Sequence, residues 1–300
     1  MNRRSLFIAS LSASLLFATA ATAEDKLKAL IIDGQNNHNW QETSPVLAEI
    51  LKRSGRFDVE FATSPPKGED LSGFLPDFAS FDVVVSNYNG DPWPESTRKA
   101  FEDYMAKGGG FVCFHAANNA FADWDAYNQM IAVGGWGGRK PQSGPYLHVV
   151  DGEIVRVQQD GKSGAHGKRH EFSVVTHLPD HPIMRGFPEA WMQAEDELYD
   201  SLRGPAVDVE VLAYAFSCPE TGGSGANEPM LLVTTFGEGR TFHTALGHDA
   251  VAMASLGFQL TLARGAEWAA TGEVSEATDA LIPHLSLETP TLADPPLTAP

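Results

Sequence analysis

Strand-like runs alternate with helical segments over the first 115 residues, and this alternation constrains the fold more than any other feature. The runs cover residues 28–33, 57–62, 81–86 and 111–114. Strands that alternate with helices imply a parallel sheet covered on both faces, because each crossover must return the chain to the same edge. Between the first two runs, Thr43-Ser44-Pro45 predicts a helix start, with Thr43 or Ser44 as cap and Pro45 in the first turn. Val46, Leu47, Ile50 and Leu51 then recur at helical spacing. Residues 95–107 predict a second helix with Phe101, Tyr104 and Met105 on its apolar side, ended by Gly108-Gly109-Gly110.

From Gly134 to Gly225 the texture changes to Gly-rich turns and short alternating runs, read as a β-rich elaboration on the same sheet. Residues 207–215 and 230–236 return to strand character. Gly237-Glu238-Gly239 makes a tight turn into residues 240–246, and residues 251–270 form a closing helix. Five prolines beyond Ala280 predict an extended or mobile tail. The expected organisation is one domain over residues 24–275 and a tail over 276–300.

Residues 1–23 have the layout of a secretory signal, with Arg3 and Arg4, an apolar stretch from Leu6 to Ala18 and a small-residue cleavage site at Ala21-Thr22-Ala23. The stretch is too short and serine-interrupted for a stable bilayer span. Asn2-Arg3-Arg4-Ser5-Leu6-Phe7 also fits a twin-arginine signal, so export to the periplasm or beyond is expected by either route. Cleavage would move the formal charge from −18 to −20. Such a polyanion is repelled by nucleic acid and by anionic membranes, whereas a neutral sugar meets no such barrier. The charge is compatible with a small neutral partner such as a carbohydrate, with no nucleic acid and no stable membrane insertion expected; assembly into a homo-oligomer is left open.

Candidate site residues fall where strands stop, which is where open α/β sheets bind ligands. Asp33 and the loop Gln35-Asn36-Asn37-His38-Asn39-Trp40 follow the first strand, Asn87-Tyr88-Asn89 the third, His115 the fourth, and Gly247-His248-Asp249 the last. One histidine after a strand is usually a hydrogen-bonded turn residue. Three strand ends that each offer one favour a shared site, in which neutral imidazoles serve as metal ligands or as acid and base. His38, His115 and His248 are therefore the candidate ligands of a divalent metal such as zinc. His115, His248 and Glu197 are the candidate catalytic groups, and Asn39, Trp40, Asn87, Tyr199 and Asp249 the candidate sugar-binding groups.

Glu195-Asp196-Glu197 reads either as a solvated acidic face or as a carboxylate aimed into a cleft. His166 and His170 are read as members of a solvated loop. With only two cysteines, Cys113 in an apolar run and Cys218 in a Pro/Gly-rich loop, two separate thiols are expected. Cys113 has bulky Phe114 and His115 after it, where a nucleophile elbow needs small residues.

Four segments together resemble the landmarks of the trehalose-utilisation (ThuA-like) family: Gly108-Gly-Gly-Phe-Val-Cys-Phe-His115-Ala, Asp180-His-Pro-Ile-Met-Arg-Gly186, Asp196-Glu-Leu-Tyr199 and the run from Gly237 to Asp249. The similarity runs from about Lys28 to Gly272. It implies a flavodoxin-like, three-layer α/β sandwich akin to class I glutamine amidotransferases, with a mainly parallel sheet. It also implies a link to disaccharide or 3-keto-sugar metabolism, hence a hydrolase- or lyase-type sugar enzyme. It does not imply amidotransferase chemistry, because His115 stands near the elbow where those enzymes carry cysteine, and their downstream His-x-Glu has no counterpart here. A non-catalytic sugar-binding or accessory protein and a cysteine-dependent amidotransferase-like hydrolase remain the alternatives.

Overall fold

The computed structural model describes residues 26–293 of the 300-residue chain, so the expected export signal lies outside the described residues. Among the described residues thirteen strands and five α-helices follow one another. The first part runs β1 (Leu27–Asp33), α1 (Trp40–Arg53), β2 (Phe57–Thr63), β3 (Val83–Ser86), α2 (Glu95–Ala106), β4 (Gly110–Phe114) and α3 (Asp125–Ile131). Then come β5 (Tyr146–Val150), β6 (Glu153–Val157), β7 (Ala165–His166), β8 (His170–Thr176), β9 (Ala190–Asp196) and β10 (Tyr199–Asp200). The chain continues through β11 (Val209–Phe216), β12 (Asn227–Phe236), β13 (Gly239–Thr244), α4 (Ala250–Met253) and α5 (Leu256–Thr271).

Nine strands form one sheet in the order β2-β1-β3-β4-β13-β12-β11-β8-β9. The first five are mutually parallel, and counted along the chain they stand 2-1-3-4-5, the flavodoxin-like order. The remaining four join antiparallel, so the β-rich elaboration extends the same sheet. Phe236 pairs with Gly239 across the two-residue turn that reverses β12 into β13.

Alternation along the buried strands builds two cores. Ala29, Ile31, Val112 and Phe114 face the layer of α1 and α5, while Leu30, Ile32, Phe111 and Cys113 face α2 and α3. A three-layer sandwich follows directly from this period of two.

Three details differ from the sequence reading. Helix α1 begins at Trp40, one turn before Thr43-Ser44-Pro45, because the Thr43 and Ser44 hydroxyls accept hydrogen bonds from the Asn87 side-chain amide at 2.9 and 3.0 Å instead of capping the helix. The closing helix is broken at Ala254-Ser255 into α4 and α5. Residues 276–293, expected as a mobile tail, pack on the body: Asp279 pairs with Arg264 at 2.5 Å, and the Leu256 N–H donates to the Thr291 carbonyl at 2.8 Å.

Candidate active site

His115 is the first residue beyond β4, with φ of +43°, a conformation that costs a non-glycine residue free energy. Strain of this kind persists where the surroundings over-determine a position. Here the imidazole Nδ1 donates to the Ala245 carbonyl at 2.7 Å. That bond selects the tautomer, so neutral His115 presents an unprotonated Nε2.

His38 leaves β1 and His248 leaves β13 at the same sheet edge. The ring centroids of His38 lie 4.9 Å from His115 and 4.5 Å from His248. Gly247 positions His248: its φ is +104°, and a Cβ there would meet the Phe114 ring at 2.5 Å. Glu197, just past β9, completes the group, with one carboxylate oxygen 3.0 Å from His248 Nδ1 and 3.7 Å from His115 Nε2. One ligand atom from each of His38, His115, Glu197 and His248 falls within 4.8 Å of the other three.

The electrostatics fit an anion among imidazoles. Burial alone would raise the Glu197 carboxyl, but the adjoining His115 and His248 outweigh it and hold the group well below the usual carboxylate range. Burial lowers His38 to about 3, helped by the two neighbouring imidazoles, so its ring is neutral. Burial opposes charge on His248 as well, yet Glu197 raises it overall. His115 Nε2 and His248 Nδ1 are buried and make no well-aligned hydrogen bond among the described residues, although both face the Glu197 carboxylate. Two buried imidazole nitrogens converging on one carboxylate are what a divalent cation would satisfy.

His38 and Glu197 reach the wall of a cleft of about 570 Å³ beyond the carboxyl ends of β1 and β3. Gln35, Asn36, Asn37, Asn89 and Asn119 line it with amides, and Trp40, Trp136 and Tyr199 with aromatic surface. The Tyr199 hydroxyl lies 3.2 Å from His38 Nε2, and its ring packs 4.2 Å from that of His115. Amides suit hydroxyl recognition and aromatic faces suit sugar rings, as in other polar, partly aromatic pockets.

Of the residues singled out from the sequence, His38, Glu197, Trp40 and Tyr199 line the cleft, while His115 and His248 join His38 and Glu197 in the ligand cluster without lining it. Three of the expected sugar-binding groups do not line the cleft either. Asn87 is buried and braces the β1 and β3 loops, donating to Thr43 and Ser44 and accepting from Asn36 at 2.9 Å. Asn39 donates to Glu42 at 3.2 Å at the start of α1. Asp249 caps α4 through the Val251 and Ala252 N–H groups and pairs with Arg169 at 2.8 Å.

His166 departs from the solvated-loop reading. In the β7–β10 ribbon it sits directly across from Tyr199, with Nε2 3.7 Å from the other Glu197 oxygen. Trp136 and Asn119 were also not among the candidates; a lone tryptophan inside Gly134-Gly135-Trp136-Gly137-Gly138 was the available signal for the first. Cys113 is sealed within β4, burial raises its thiol, and both cysteines are free. A thiolate nucleophile has no support in that setting.

The model of the trehalose-utilisation family matches residues 28–269. The chain belongs to the ThuA family. A ThuA-like protein from Parabacteroides merdae is 48% identical, with a TM-score of 0.82 over 84% of this chain and 92% of that one. A second ThuA-like protein, from Bacteroides uniformis, is 18% identical with a TM-score of 0.57, covering 86% of this chain and 97% of that one, and supports the fold alone. No protein with a curated description matches. Membership in ThuA links the chain to carbohydrate metabolism. No helix among the described residues is long and apolar enough to cross a membrane.

Proposed function

We propose that this ThuA protein is an exported enzyme that acts on a glycoside or 3-keto-glycoside at a divalent metal centre formed by His38, His115, Glu197 and His248. The convergence of four ligand atoms within 4.8 Å beside an amide- and tryptophan-lined cleft carries this reading. Three imidazoles and one carboxylate suit zinc or another first-row divalent ion. Such an ion, when bound, polarises an oxygen of the substrate or of water.

The protein's own groups do the rest. Trp40 and Trp136 offer faces to the sugar ring, and the asparagine amides receive its hydroxyls. Tyr199 holds His38 in place. His166 donates through Nδ1 to the Gly167 carbonyl at 2.9 Å, which leaves neutral Nε2 free to take a proton at the cleft mouth. Export rests on the layout of residues 1–23.

The test is turnover of 3-keto-glycosides by purified protein together with its metal content. Stoichiometric metal and turnover, both lost in folded His115→Ala, are expected. Full activity in that variant would remove the assigned role.

A further inference from the structure

We infer that Asp196 is the positioning residue that sets the separation of Glu197 and His248, and thereby the geometry and affinity of the metal centre; this rests on the metal reading above. Its carboxylate is fully buried, and four N–H groups meet it. One oxygen accepts from the Glu197 N–H at 2.8 Å and the His248 N–H at 3.0 Å. The other accepts from the Gly247 N–H at 2.8 Å and the Gln193 side-chain amide at 3.2 Å.

A single oxygen thus ties together the backbones of two ligands 51 positions apart in the chain. The two arrive from the centre and the edge of the sheet, β13 being fifth and β9 ninth in the order. Four strand spacings separate β13 from β9, which in a flat sheet would be roughly 19 Å. Asp196 is where the end of β9 meets the loop that follows β13. Its side chain is neither part of the cleft lining nor one of the four candidate ligands, so it acts by placing their backbones and by the charge it sets near His115. Outer partners of this kind are commonly worth 10- to 100-fold in metal affinity.

The variant of choice is Asp196→Asn, which keeps the shape. Its oxygen can still bridge Glu197 and His248, while its amide faces the Gly247 N–H as a second donor. Gln193 can flip to meet that amide, since its own oxygen is buried without a partner. The Gly247 contact is then lost, and the flip also gives up the Gln193 amide bond to the Ala252 carbonyl at 3.1 Å; both losses are local, so the fold should survive while the loop carrying His248 moves.

The readout is Co(II) titration of purified protein, followed by the visible absorption of the bound ion. A 10- to 100-fold weaker affinity and an altered spectrum are expected in Asp196→Asn with unchanged far-ultraviolet circular dichroism. Equal affinity and an identical spectrum overturn the inference and leave the metal reading standing. A wild-type protein that takes up no cobalt overturns the metal reading and this inference with it. If Asp196→Asn does not fold, Gln193→Met decides: a weakened cobalt affinity supports the role of the Asp196 network, and an unchanged one overturns it.

Discussion

In the parallel half of the sheet, β1, β4 and β13 each end in a loop that delivers one imidazole. The antiparallel half contributes Glu197 from the end of β9, and a separate two-stranded ribbon of β7 and β10 adds Tyr199 and His166. Parallel strands share one carboxyl edge, so the three histidines converge without any short motif. Antiparallel strands send only alternate ends there. Of that half, β9 points the right way but starts far off, and it must be docked before its carboxylate can serve. Trp191 of β9 does this by packing on α5 so closely that a Cβ at Gly257 would lie 2.2 Å from its indole nitrogen. The histidines are thus placed by topology and the carboxylate by packing, which makes the second half the more fragile contributor.

Removing the docking residue should have the largest effect. Trp191 is fully buried, and Trp191→Ala should cost about 3–5 kcal/mol in urea unfolding. Cobalt affinity should fall with it, if β9 carries the carboxylate into place; a loss of stability with intact affinity would separate docking from site assembly.

Glu197→Gln tests what the antiparallel half gives to the centre. A zinc site of four protein ligands is worth about 10–16 kcal/mol, so one ligand should account for roughly 3 kcal/mol, on the order of 100-fold in metal affinity. Retained affinity would leave the three imidazoles of the parallel half as the whole centre.

The strand shared by both halves, β13, carries buried His243, whose ring Nδ1 donates to the Ile131 carbonyl at 2.9 Å. Burial lowers its pKa to about 4, below the unfolded value of about 6.5. The folded state therefore resists protonation. Its contribution is complete above pH 6.5 and is lost as pH falls towards 4, by roughly 3 kcal/mol. Urea midpoints at pH 7 and pH 4.5 should show this loss, and His243→Gln should flatten it; an equal slope in the variant would assign the acid sensitivity elsewhere.

The smallest effect belongs to the surface tie between the halves. Arg169, just before β8, pairs with Asp249 at the start of α4, and both side chains are partly exposed, at 30% and 26%. Arg169→Ala should change stability by less than about 1 kcal/mol, and a larger change would show that this pair also secures β9.

The parallel half and its three histidines were legible in the residues themselves, since strand and helix periods announce a sheet edge and the chain places His38, His115 and His248 just beyond it. Glu197 was legible as one of three adjacent carboxylates, but not which of them turns inward: Glu195 is exposed, Asp196 is buried, and Glu197 faces the imidazoles. His166 and Asp249 exchanged expected roles for the same reason. Sequence period reports which side of a strand a residue occupies, and says nothing about which distant strand will curl over it.

The alternation of strands and helices, the parallel sheet and the edge where ligands meet were thus determined by local apolar patterning, because hydrophobic period and crossover geometry leave few alternatives, whereas the flavodoxin-like order was implied only by the family resemblance. The partners of that edge, Asp196 beneath, Glu197 beside and His166 above, were decided only by the tertiary structure. Those contacts depend on where β9 docks, which involves side chains far apart in sequence, such as Trp191 of β9 against Gly257 of α5.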